Sequence, residues 1–288
     1  MKKLSVFVAT GLMLLIGCSA EKSEQAASAE PDVADAEEST TGEPAGYFEY
    51  LWCEAGENYN DETIAALVVE WNSITDGLNA RVNGAFAYLP REWEDENFDG
   101  LWVLRWNDKA HSEAGWAEYE AAGADALIRA NHPGVLTCGN EPGVNRFGFN
   151  GYIPREIPSS FDLTAEGPYF LMNQFCAFNE GKGGSDLREA VMGQYIPLLD
   201  EIGQENPGSS YWFRIGVPDF EPNAEQPMSF NWINFWQTAE EGEQSAAAYN
   251  ASEEGQNMTA AFNAIATCAD PQPWNGIVLR VPDSIEAS

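Results

Sequence analysis

From residue 47 onward, apolar side chains recur along the chain in two alternating rhythms. Tyr47-Phe48-Glu49-Tyr50-Leu51-Trp52 and Tyr169-Phe170-Leu171-Met172-Asn173-Gln174-Phe175 are short aromatic-rich runs, each followed by a cysteine, and they predict strands over 47–53 and 168–176. After the first run, Ile64, Leu67, Val68, Trp71 and Ile74 fall on one helical face behind a cap at Asn60 or Asp61. After the second, Leu187, Val191, Tyr195 and Leu198 do so behind a Ser185 cap, with Glu189 in the early turns. Each segment then predicts a strand ending at a proline (Pro90, Pro218), a hairpin and a Trp-rich strand (100–107, 229–237). A long Ala- and Glu-rich helix (110–131, 240–264) and a last short strand starting at an Asn-Gly turn complete it.

The two segments are copies of one unit. A shift of 130 positions places Trp102 on Trp232, Trp106 on Trp236, Tyr119 on Tyr249 and Cys138 on Cys268. It gives nine identities over the 37 positions 102–138, where background usage gives about two or three. Elsewhere the offset changes, so that Cys53 falls on Cys176, Pro90 on Pro218, and Phe149-Asn150-Gly151 on Trp274-Asn275-Gly276. The order βαββαβ in each copy is that of the ferredoxin-like unit. The fold class expected is α+β, with ferredoxin-like repeats at 47–158 and 167–283 joined by a linker at 159–166. Such a sheet carries helices on one face; the other face, here rich in Trp, Tyr and Phe, needs a cover. Two copies in one chain can cover each other.

This arrangement resembles the dimeric α/β-barrel superfamily in a fused tandem form, over about 47–283. The superfamily includes antibiotic-biosynthesis-type monooxygenases, stress-responsive barrel proteins and some haem enzymes. The resemblance rests on element order and Trp placement. It implies one pseudo-symmetric barrel with a cavity between two sheets, and no particular activity. A chain that supplies its own partner is expected to be a monomer. Of the four cysteines beyond Cys18, three connectivities are open. The repeat favours Cys53 with Cys138 and Cys176 with Cys268, because in a ferredoxin-like unit the end of the first strand lies beside the start of the fourth.

The amino terminus reads as an address. Lys2 and Lys3 precede an uncharged apolar stretch, Leu4–Ile16, too short to span a bilayer. Leu15-Ile16-Gly17-Cys18 resembles the lipobox of bacterial lipoproteins. The resemblance implies a signal peptide over 1–17, lipidation of Cys18 and attachment to a membrane; Ser19, rather than Asp, implies the outer membrane, with the protein facing the periplasm or the surface. Residues 18–46 have no aromatic residue and many acids, the composition of an extended tether. Over the whole chain, 46 Asp and Glu against 14 Lys and Arg give a net charge of −32. That excludes a phosphate-backbone binder, which needs a basic surface. The acid beyond the tether also fits a salty environment, where it aids solubility.

Few residues carry recognisable chemistry. Gly-x-Ser-x-Gly, His-Glu-x-x-His and Gly-x-Gly-x-x-Gly motifs are absent. His111 and His132 stand at opposite ends of one predicted helix, too far apart to share a metal; His132 reads as a cation at a helix carboxyl end, and His111 as a surface residue or a haem ligand. Asp95-Glu96-Asn97-Phe98-Asp99-Gly100 matches the first half of a calcium loop, but Trp106 stands where a carboxylate is needed, so an acidic turn is the better reading. Gly181-Lys182-Gly183-Gly184-Ser185 reads as a flexible connection with a capping serine rather than an anion loop. No cofactor is expected. The remaining candidate is the cavity. Tyr50, Trp102 and Trp232 would line it, with Asn173, Arg214 and Asn234 as polar groups where the first copy has mostly apolar ones.

The leading expectation is therefore a lipid-anchored protein that binds a small apolar or aromatic ligand between its sheets. The alternatives are a barrel-type oxygenase, cofactor-free or haem-dependent, using His111, Arg105 and Tyr88, or an envelope scaffold for a protein partner.

Overall fold

In the computed structural model, which describes residues 42–223 and 227–283, ten strands join one sheet that closes on itself. The first half runs β1 (Gly46–Ala55), α1 (Asp61–Asp76), β2 (Gly84–Pro90), β3 (Gly100–Trp106), α2 (Lys109–Ala121), α3 (Ala124–Asn131), β4 (Leu136–Cys138) and β5 (Arg146–Tyr152). The second runs β6 (Tyr169–Phe178), α4 (Gly184–Ala190), a π-helical turn (Val191–Tyr195), α5 (Ile196–Glu205), β7 (Trp212–Pro218), β8 (Phe230–Trp236), α6 (Ala239–Ala251), α7 (Glu253–Asn263), β9 (Ala266–Cys268) and β10 (Gln272–Arg280). The predicted signal peptide, Cys18 and most of the tether lie outside the described residues. Among the described residues no helix is long and apolar enough to cross a membrane.

Strands of the first half lie in the order β5-β1-β3-β2, and those of the second in the order β10-β6-β8-β7. β5 also pairs with β7, and β10 with β2, all antiparallel. Eight strands thus form a closed barrel in which each half's last strand is the seam to the other half. Gly151 on one seam strand leaves room for the Phe48 ring and the Arg214 side chain; Gly276 on the other leaves room for the Tyr169 ring.

Alternation along the strands sorts side chains into layers. Phe48, Tyr50, Tyr88, Val103, Tyr169, Leu171, Ile233 and Phe235 fill the barrel. Leu51, Trp102, Leu104 and Trp106 face the helices of the first half, and Phe213, Ile215 and Trp232 face those of the second. α1 begins where expected: Asn60 accepts from the Glu62 and Thr63 amides, and the Asn60 amide donates back to Thr63 Oγ1.

Several expectations are corrected. The long helix expected in each half is two helices. Gly123, at φ 63°, breaks the first and Ser252, in extended conformation, breaks the second while capping α7. The cap of α4 is not Ser185: the Asp186 carboxylate accepts from the Gly183 amide. The Asn-Gly pairs lie within β5 and β10 and do not start them. Both expected disulfides form, Cys53–Cys138 and Cys176–Cys268. Their second cysteines sit on extra short strands, β4 and β9, paired to the ends of β1 and β6.

Candidate functional site

The space between the two faces of the barrel does not hold the expected ligand cavity. Rings from all sides fill it, leaving a void of about 20 Å³ bordered by Tyr88, Tyr169, Trp212 and Arg214. Tyr50, Asn173 and Arg214 do share this interior, as expected from strand alternation. Trp102, Trp232 and Asn234 do not: they lie on the opposite face, under the helices.

Arg214 is 2% exposed. Its guanidinium donates to the Tyr50 hydroxyl and lies 3.7 Å from the centre of the Phe48 ring. Burial raises the pKa of Tyr50, Tyr88 and Tyr169, and the nearby guanidinium opposes that rise in all three. The three phenols stay neutral at neutral pH. Among the described residues no carboxylate lies at ion-pair distance from Arg214.

A larger space opens outside the barrel. A cleft of about 120 Å³ lies between the outer face of β1 and β3 and helices α1, α2 and α3. Trp71, Trp102, Trp106 and Trp116 wall it, with Leu51, Leu67 and Leu104 beneath, and Glu120, Asp125, Arg129 and Asn140 belong to its polar lining. Trp71 meets Trp102 edge to face at 5.1 Å.

At the corresponding place the second half is packed with rings, and the register shows why. Ala85 pairs with Leu104 as Phe213 pairs with Asn234. Phe213 stacks on Trp232 at 4.7 Å, and Phe262 and Tyr195 close on the same indole at 5.2 and 5.5 Å. The first half has Ala85 in place of Phe213 and His132 in place of Phe262. The polar groups differ as well. Trp232 Nε1 donates to Asn234 Oδ1 at 2.9 Å, and Tyr211 donates to the same oxygen at 2.8 Å. Asn234 serves its own core. In the first half Leu104 stands in its place, and the buried Trp102 Nε1 has no acceptor. An unmade buried N–H costs about 1–3 kcal/mol.

A buried carboxylate braces the cleft. Glu49, 5% exposed, accepts at Oε2 from Trp106 Nε1 (2.8 Å), Ser112 Oγ (2.8 Å) and Trp116 Nε1 (2.7 Å). Arg146 Nε approaches Oε1 at 3.5 Å, and its guanidinium lies 4.3 Å above the Trp116 ring. Glu49 thereby fixes two walls of the cleft. Sequence reasoning missed it; the one hint was an acid on the apolar face of an otherwise aromatic strand. Tyr119, which also lines the cleft, has its hydroxyl pushed up to about 12 by burial and then by Asp125.

The residues proposed for oxygenase chemistry are not brought together. His111 lies at the start of α2, its Nδ1 accepting from the Asn107 amide and its ring edge-on to Trp106. Arg105 donates to the Ala45 carbonyl on the barrel strand β3, while Tyr88 borders the interior void. Haem does not fit either space. Neither is lined by histidine, methionine or a free thiol, and the cleft has room for about one ring, not a porphyrin. His132 pairs with Glu70 at 2.7 Å, the contact that, after the Asn131 amide, lowers the Glu70 pKa. Asp95 accepts from the Asn97 amide and Asp99 from the Ala55 amide, each at 2.8–2.9 Å, so both acids brace local backbone. Among the described residues no group of three His, Cys, Asp or Glu could hold a metal. The glycine loop keeps its own anion: Asp186 takes both the Gly183 amide and Lys182.

No family model matches the chain, and no curated protein matches it. Among solved structures, a variant of chlorite dismutase from Candidatus Nitrospira defluvii in complex with cyanide aligns at TM-score 0.47 and 10% identity, over 82% of this chain and 92% of that one. Chlorite dismutase from the same source in complex with imidazole gives 0.45 and 9%, over 81% and 91%. An anthrone oxidase-like protein gives 0.44 and 10%, over 85% and 98%. Likenesses at this level carry no argument about function; the barrel stands on its own strand pairing.

Proposed function

We propose that this chain is a membrane-tethered binding protein that holds a small aromatic molecule in the cleft beneath α1, α2 and α3. One observation carries the reading: Trp102 presents a buried N–H without an acceptor, beside an open cleft, where the second copy supplies Asn234 and fills the space with rings. The ligand is a single ring with an acceptor substituent. The ring takes the place of Phe213 and Phe262, and the substituent that of Asn234. Apolar engineered cavities of roughly 150 Å³ hold a benzene-sized guest, which sets the size class. The scaffold is read as a duplicated ferredoxin-like unit of the dimeric α/β-barrel type, a reading that the two matching strand orders support. Lipid on Cys18 would hold the protein at the outer membrane.

The test compares acetophenone with ethylbenzene, which differ chiefly in a carbonyl oxygen. Titration followed by indole fluorescence and by the Trp102 indole N–H resonance is expected to show saturable binding. Acetophenone should bind about fivefold tighter, the worth of one hydrogen bond of about 1 kcal/mol. Trp102→Phe should erase the difference, and Ala85→Phe should abolish both. Absence of saturable binding, or a preference that survives Trp102→Phe, refutes the reading. For the anchor, Cys18→Ala should release the protein from membranes.

A further inference from the structure

The two ends of the barrel are finished differently. At one end the connection between β5 and β6 lies against the opening: Ile153 and Phe161 are buried, Ile157 and Leu163 pack beside them, and Phe161 touches Tyr169 and Trp212 at the starts of β6 and β7. The other end, where β1, β2, β6 and β7 finish, is filled by rings that stay partly open to water. Trp52 meets Phe98 at 5.5 Å and Phe147 at 5.3 Å, Phe147 meets Phe220 at 5.2 Å, and Trp93 meets Phe98 at 6.3 Å. These rings come from separate stretches of the chain and make one continuous contact. Phe175, on the same side of β6 as Leu171, is 39% exposed. The stretches that carry the rings also carry exposed acids. Glu54, Glu94, Glu96, Glu141 and Glu221 are all exposed, and none has a described cation at ion-pair distance. The cations on the same stretches are already engaged, Arg91 with Glu92 and Glu243, and Arg146 with Glu49.

We propose that this end of the barrel docks a protein partner through a basic segment that carries apolar side chains between its lysines or arginines. The site is independent of the cleft. An aromatic centre within a polar rim is the anatomy of a protein interface, and indoles are its commonest anchors. Partly exposed rings gathered at one place mark such a surface, where rings scattered singly would not. Charge selects the occupant. The 18–41 stretch carries seven acids and one lysine, and a second copy of the chain brings a net charge of −32, so an acidic rim repels both. An anionic lipid surface is repelled for the same reason. A cationic segment is attracted: its charges meet the rim, and its apolar side chains cover the rings.

The test uses the whole chain and the peptide acetyl-Lys-Leu-Lys-Phe-Lys-Leu-Lys-amide, titrated at about 150 mM salt by calorimetry and by the indole N–H resonances. Saturable binding is expected, with the Trp52 and Trp93 resonances shifting and that of Trp102 staying in place. Replacing Leu and Phe of the peptide by Ala should weaken binding by about tenfold or more, because the rings are then left uncovered, and replacing its Lys by Glu should abolish binding. Glu94→Gln together with Glu96→Gln should weaken it by about fivefold. Glu253→Gln together with Glu254→Gln, the same change of charge at the start of α7, should weaken it by less than about twofold. Trp52→Ala should weaken it by about tenfold or more; should that variant fail to fold, the exposed glutamate pairs still decide. Absence of saturable binding, shifts that spare Trp52 and Trp93, an alanine peptide that binds equally well, or equal weakening by the two glutamine pairs would overturn the proposal. So would displacement of the peptide by phosphatidylcholine vesicles, which would assign the rings to a lipid surface.

Discussion

Replacing Glu49 by Gln keeps the shape of the side chain and removes its charge, which isolates the role of the carboxylate beneath the cleft. Three donors converge on Oε2 at 2.7–2.8 Å. Hydrogen bonds to a charged group are worth roughly 1.5–3 kcal/mol and neutral ones roughly 0.5–1.5, so the loss is about 1 kcal/mol per bond, or about 3 in all. The amide is cheaper to bury, which offsets part of that. Against the offset, Arg146, 15% exposed, loses the partner at 3.5 Å and costs further free energy. A net destabilisation of about 2–3 kcal/mol follows, a fall in the unfolding midpoint of about 5–10 °C for a domain of this size. Differential scanning calorimetry with the disulfides intact measures it. Because the cluster is buried, the difference should persist in 1 M salt, where surface pairs are screened. A double-mutant cycle with Arg146→Met should return a coupling of at least about 1 kcal/mol. A midpoint within about 1 °C of the parent, or a difference that vanishes in salt, would refute this account of Glu49.

Phe262→Ala should open in the second half the space that the first half has, at a cost of about 3–5 kcal/mol, and should create a second site for ring compounds, read as a change in titration stoichiometry. Reducing either disulfide should lower stability by about 4.6 kcal/mol in the chain-entropy model, since the bridged residues are 85 and 92 positions apart; denaturant titration of the single-bridge variants checks it. Tyr50, Tyr169, Tyr195 and Tyr211 have pKa values raised first by burial, so the stability they contribute is complete below the unfolded value near 10 and falls as pH rises above it. Their ultraviolet titration should therefore coincide with unfolding on the alkaline side, and a separate phenolate step in the folded protein would contradict it. On the acid side, Glu118 has its pKa lowered by the Ala80 and Asn79 amides, so its contribution is present above the unfolded carboxylate value and lost below it; Glu118→Gln should flatten the acid limb.

The matching layout of the two halves was legible because Trp and Cys are rare enough for their spacing to speak: Trp102 with Trp232 and Cys138 with Cys268 located the strands and both bridges. The layer that each Trp faces was not legible. Period-two alternation says that Trp102, Leu104 and Trp106 share a face but gives no sign of direction, and the interior claimed the odd-numbered partners Leu101 and Val103. Arg214 and Asn173 were correctly grouped with Tyr50, because each stands where the other half has an aromatic. The cleft was written in the same alignment, as Ala85 against Phe213, His132 against Phe262 and Leu104 against Asn234. Its meaning depended on knowing that these three differences meet at one place. The breaks at Gly123 and Ser252 were missed because Ala and Glu favour helix on either side of both.

The exchange of closing strands between the halves has a consequence for how the chain can be taken apart. β5 is stitched to β1 on one flank and to β7 on the other, and β10 to β6 and β2. Severing the connection between Tyr152 and Tyr169 would yield two pieces, each with bare strand margins and a flat aromatic surface open to water. Neither piece is a self-sufficient folding unit. Mixed together they should reassemble, and at high concentration two intact chains could trade these halves and lock as an interleaved pair.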